Sequence, residues 1–140
     1  MKTKWPVPNQ LFTNEKPGIR YYLIMAALPQ LPPDLDQQAY YQEALKIRNA
    51  FDEQVTIAKK HHDEGRIALA VPIFEELVED GYDQIYPYTY LKEHYSVVGD
   101  QEGAQRTIKA FRELTKSFEE KGINRPDLVE IDEAFIKKFY

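Results

Sequence analysis

An all-α fold assembled from helix hairpins is the prediction for this 140-residue chain, and three observations carry it. Apolar residues recur every three or four positions almost throughout residues 37–121, the period of an amphipathic helix. Gly65, Gly81 and Gly99 interrupt that pattern where helices would close, because a left-handed backbone is cheap only for glycine. Gly65 and Gly99 also lie one repeat apart: at the same 34-residue offset Ile57 matches Leu91, Ala70 matches Ala104, Phe74 matches Ile108 and Leu77 matches Phe111. A period of this length means one supersecondary unit stacked on copies of itself.

Taken in order, residues 1–18 carry Pro6, Pro8 and Pro17 and no helical period, so they read as an extended arm stapled to the body through Trp5 and Phe12, with a polyproline ligand at Pro6 and Pro8, or an arm that fills the protein's own binding surface, as the alternatives. Residues 19–28 form a short buried helix, with a strand as the alternative because of the paired tyrosines. "PQLPPDLD" (29–36) breaks the chain; Pro33 suits the start of the next helix and Asp34 or Asp36 its cap. Neither Gly nor Pro interrupts residues 34–64, and the boundary between two helices there is placed near Asn49. Pro72 would remove an interior hydrogen bond from a helix starting at Arg66, which favours a start near Leu69. Asp100 caps a helix running to Gly122, with Ala104, Ile108, Phe111, Thr115 and Phe118 on one side. A capping helix over 126–139 follows Pro126, presenting Leu128, Ile131, Phe135 and Phe139.

The repeat resembles the tetratricopeptide family, whose pattern is W-x2-L-G-x2-Y followed by A-x3-F. Tyr88-x2-Leu91-Lys92-x2-Tyr95 with Ala104-x3-Ile108 carries the match in one unit, and Gln54-x2-Ile57-Ala58-x2-His61 with Ala70-x3-Phe74 in the other. Tyr21-x2-Ile24-Met25-x2-Leu28 with "YYQEAL" resembles a degenerate third copy. The units are therefore drawn at about 20–50, 51–84 and 85–118, inside a single helical domain over 19–140. Lys92 stands where the family prefers a small residue, and the proline that usually ends the second helix is missing. The resemblance implies a short right-handed superhelix whose inner helices line a concave groove for a peptide or partner helix.

On that implication, and on the helical wheel, the groove-facing residues are Val55, Lys59 and His62 in one unit and Tyr86, Thr89, Tyr90, Glu93 and Val97 in the other, with Asp52, Thr56, Asp63 and Ser96 beside them. Gln54, Ile57, Ala58 and His61 share the opposite, packing face. The family's clamp for chaperone tails uses Lys and Asn side chains. Val55, Lys59 and Tyr90 occupy those positions here, which argues against that ligand.

Other chemistry finds little purchase. In "HHDEG" the adjacent His61 and His62 diverge on a regular helix, whereas a helical zinc pair needs ligands four apart. No nucleophile elbow, phosphate loop or dinucleotide turn is present, so neither catalysis nor a cofactor or metal is expected. With no cysteine, disulfides are excluded. A net charge of −5 with no Lys/Arg-rich run disfavours nucleic acid and suits a basic or apolar peptide. "YYLIMAAL" (21–28), the most apolar run, is too short for a membrane span and its position does not match a signal peptide. The expectation is a cytoplasmic, non-catalytic adaptor. Two rivals stay open: a homodimer or larger structural oligomer joined through the C-terminal helix by Ile136 and Tyr140, and a metal-dependent hydrolytic protein using His61, His62 and His94.

Overall fold

The structure, a computed structural model, describes residues 5–131. Its regular elements are helical: α1 (Pro17–Ala27), α2 (Gln37–Asp63), α3 (Ile67–Glu79), α4 (Tyr86–Val97) and α5 (Gln101–Glu120), with single 3-10 turns at Pro8–Gln10 and Leu28–Gln30. Residues 126–131 add a further helical segment, α6. Among the described residues there is no strand, and no helix is long and apolar enough to cross a membrane. Phe135 and Phe139 of the predicted capping helix, and Ile136 and Tyr140 of the dimer alternative, lie outside the described residues.

The 34-residue spacing recurs in the helix boundaries. α2 and α4 end 34 residues apart, at Asp63 and Val97, and α3 and α5 begin 34 apart, at Ile67 and Gln101. Each intervening turn is closed the same way. The Gly65 N–H donates to the His62 carbonyl and the Arg66 N–H to that of His61; Gly99 and Asp100 do the same to Ser96 and Tyr95. This paired bonding needs a residue with positive φ, and Gly65 and Gly99 stand at 78° and 81°. After the second turn the Asp100 carboxylate caps α5 by accepting from the Gly103 N–H at 2.9 Å.

Two boundaries differ from the sequence reading. α2 runs unbroken through Asn49 for 27 residues, so the expected 20–50 unit is not a separate hairpin. Its buried and half-buried residues Tyr40, Ala44, Ile47, Phe51, Val55 and Ala58 keep one helical stripe from end to end, and nothing in the backbone forces a break. The first half packs on α1 and the second on α3. At the N-terminus Asp36, rather than Asp34, is the cap, accepting from the Gln38 and Ala39 N–H groups. α3 begins at Ile67, not near Leu69, so Pro72 is inside it. The glycine turn feeds directly into the helix, with the Arg66 carbonyl accepting from Leu69 and Ala70. Pro72 and Ala68, whose carbonyl loses its partner, are both exposed, so water can satisfy that group.

Three apolar clusters hold the elements together. Leu11, Ile24, Leu31, Tyr40 and Ala44 receive Trp5 and Phe12 of the arm. The arm is pinned there by Tyr40, whose hydroxyl donates to the Pro6 carbonyl at 2.6 Å, and by Arg20, which donates to the Leu11 and Pro8 carbonyls. The described arm thus lies against α1 and the first half of α2. Phe51, Ala58, Ala70, Phe74, Leu77, Tyr82 and Leu91 join the second half of α2 to α3 and α4. Ile19, Tyr88, Phe111, Leu114, Phe118 and Leu128 join α1, α4, α5 and α6.

Phe74 is fully buried at the centre of the second cluster. Truncation to alanine is expected to lower stability by about 3–5 kcal/mol, the usual range for a buried aromatic. Denaturant titration followed by circular dichroism checks it; an unchanged midpoint would contradict the core assignment.

Candidate functional site: an aromatic face between two helices

The site forms where α2 and α4 lie side by side. Tyr88 and Leu91 turn the inner face of α4 into the core, and the Tyr88 hydroxyl donates to the Tyr82 carbonyl at 2.8 Å. With those two buried, the helical period leaves Tyr86, Tyr90, Glu93 and Val97 on another stripe. Phe74 of α3 lies behind the first two, with ring centroids 5.5 Å from Tyr86 and 4.2 Å from Tyr90. The two tyrosine rings stand 6.2 Å apart.

From α2, the Lys59 ammonium sits 4.9 Å from the centroid of the Tyr86 ring. One turn further on, His62 Nδ1 lies 2.9 Å from the Tyr90 hydroxyl, and the rings meet edge to face. Both contacts advance together along the two helices, so α2 and α4 run in the same direction at this face. Burial, and for Tyr86 the nearby Asp63 carboxylate, raise the phenol pKa values of Tyr86 and Tyr90. Both hydroxyls therefore stay protonated at neutral pH and can donate.

Of the eight expected groove residues, the structure brings Lys59, His62, Tyr86 and Tyr90 into one cluster. Glu93 and Val97 are exposed further along α4, Val97 by 85%. Thr89 is half-buried and its hydroxyl donates to its own helix, at the Tyr86 carbonyl. Val55 is half-buried and packs against the core cluster. Ile57 is corrected, being 42% exposed instead of packed inside the hairpin. Phe51 stacks edge to face on Tyr82 from the α3–α4 turn, and the buried stripe of α2 here is Phe51, Val55 and Ala58.

The histidines have separate engagements. His61 Nδ1 accepts from Arg66 Nε at 3.1 Å, His62 meets Tyr90, and His94 packs on Tyr95. Among the described residues no group of three or more His, Asp or Glu side chains converges to hold a metal ion.

Sequence reasoning missed a second constellation, centred on Asp83 in the α3–α4 turn. Its side chain is 1% exposed. Arg48 Nη1 of α2 donates to one carboxylate oxygen at 3.0 Å, and Arg125 Nη1 from beyond α5 donates to the other at 2.6 Å. The Tyr22 hydroxyl of α1 donates to that second oxygen as well. Arg125 Nη2 reaches the Asp83 carbonyl and Asp127. Burial by itself would raise the Asp83 pKa, but the hydrogen bonds from Arg48, Tyr22 and Arg125 outweigh it and hold the carboxyl below its usual range. Burial and the bond to Asp83 push Tyr22 up to about 12. A carboxylate with three donors is a clasp, tying α1, α2, the 81–85 turn and the approach to α6 to one point. The one legible signal was an acid set two residues after Gly81, between Tyr82 and Gln84.

No protein-family model, curated protein or solved structure matches the chain.

Proposed function

We propose that this protein is a non-catalytic adaptor of the tetratricopeptide kind, which holds an extended peptide or a partner helix on the face between α2 and α4. The observation that supports the reading is the pair Tyr86 and Tyr90. They stand one turn apart on α4, backed by buried Phe74 and flanked by Lys59 and His62, with Tyr86 38% exposed. Rigid rings with a polar tip bury much area for little lost conformational freedom, and such residues dominate binding hot spots. The 34-residue register of the helix ends and the matched glycine turns support the family assignment.

The double variant Tyr86→Ala/Tyr90→Ala is the test. Proteins that co-purify with the tagged chain from its own cells should fall at least tenfold, as expected when two hot-spot rings of about 2 kcal/mol each are lost. Far-ultraviolet circular dichroism should stay helical. Partners retained with both rings gone would end the groove reading.

A further inference from the structure

We propose that the segment bound on this face is a cationic amphipathic peptide that sets an arginine or lysine against the Tyr86 ring. The inference rests on the adaptor reading and names its partner class. Four observations converge on it.

The Tyr86 face already seats a cation, since Lys59 places its ammonium 4.9 Å from the ring centroid. That distance lies within the attractive range of an aromatic quadrupole, and Tyr86 remains 38% exposed. The chain uses the same contact with arginine elsewhere: the Arg48 guanidinium lies 4.5 Å from the Tyr21 centroid and that of Arg125 5.4 Å from Tyr22. The charge around the face is one-sided. Asp52, Lys59 and Asp63 share one stripe of α2 and Glu93 continues the Tyr86–Tyr90 stripe of α4, so the two stripes carry three carboxylates and one ammonium. Asp63 follows His62 on α2, and its charge helps to raise the phenol pKa of Tyr86. Finally, the chain as a whole carries −5, so its long-range field attracts a basic partner.

Lys59 is on this view a stand-in, released from the ring when the partner's cation arrives. An arginine is favoured over a lysine because its planar, weakly hydrated guanidinium stacks on the ring. Apolar residues of the same peptide would cover Tyr90, whose ring rests on the buried Phe74.

Two labelled synthetic peptides test this, identical in the spacing of Leu and Phe but carrying Arg in one and Glu in the other at every remaining position. Fluorescence anisotropy at about 0.15 M salt should show the Arg peptide bound at least tenfold tighter, and weaker as salt rises. Asp63→Asn with Glu93→Gln, both at exposed positions, should weaken it several-fold. Lys59→Ala should tighten it, by about two- to fivefold, because a competing and like-charged group is gone. The proposal is overturned if the Glu peptide binds as well or better, if neither binds, or if Lys59→Ala weakens the Arg peptide. Equal binding of both, lost in Tyr86→Ala/Tyr90→Ala, would leave the adaptor reading standing without its cationic partner. An Arg peptide that binds that double variant undiminished would overturn the face itself.

Discussion

Asp83→Ala is expected to destabilise the protein by about 3–5 kcal/mol, the cost of breaking a buried ion pair from one side. The carboxylate is almost wholly buried and receives Arg48, Arg125 and the Tyr22 hydroxyl. Removing it leaves two guanidinium groups facing each other with side chains only 23% and 16% exposed. Arg48 can swing partly to water, whereas Arg125 keeps Asp127, so the lower end of the range is the better expectation. For a domain of this size that is a fall in Tm of roughly 10 °C. The same clasp predicts an acid limit. Because the folded pKa of Asp83 is lowered, its contribution is complete above the ordinary carboxylate value near pH 4 and is lost as pH falls through the folded value. Urea titrations from about pH 6 down to pH 3 should therefore show a steeper loss of stability in the native chain than in Asp83→Asn. Parallel slopes would remove Asp83 from the account.

Gly18→Ala is expected to lose about 3 kcal/mol, the upper end for overpacking, although helix propensity alone would predict a gain of about 1 kcal/mol. Gly18 is the second residue of α1, and its N–H donates to the Asp80 carbonyl at 2.9 Å. A β-carbon there would stand 1.8 Å from the Gly81 carbonyl oxygen and 2.5 Å from its carbon. Both are backbone atoms of the α3–α4 turn and cannot rotate away. α1 would have to lift off, and with it Tyr22 from Asp83 and Ile19 from the Phe111–Phe118 cluster. Gly65→Ala is the comparison: its β-carbon would meet nothing within 4 Å, so only its positive φ is strained, at about 1–2 kcal/mol. Thermal melts should rank Gly18→Ala well below Gly65→Ala. The reverse order would show that α1 does not dock against the turn as closely as described.

Much of this architecture is legible in the residues because it is periodic or local. Ala70, Phe74, Ala104, Ile108, Phe111 and Phe118 are all buried as their spacing predicts. Asp36 and Asp100 cap the helices that follow them, since capping involves only neighbours two or three positions on. The aromatic face was half legible. Wheel geometry selected Lys59, His62, Tyr86 and Tyr90, but it cannot fix the rotation of a long helix to within one residue. Ile57, expected inside the hairpin, is 42% exposed, and Val55 is half-buried against the core.

By itself the sequence determined an all-helical chain, the 34-residue register between its hairpins and the glycine turns that close them, because each depends on residues within one turn or one repeat. Only the tertiary structure decided that α2 is a single helix shared by two packing surfaces. It also decided that α1 docks through Gly18, and that Asp83 gathers Tyr22, Arg48 and Arg125 from across the chain. Those contacts join segments tens of residues apart. Their specificity lies in backbone proximity and desolvated charge, and neither leaves a periodic trace in the order of the residues.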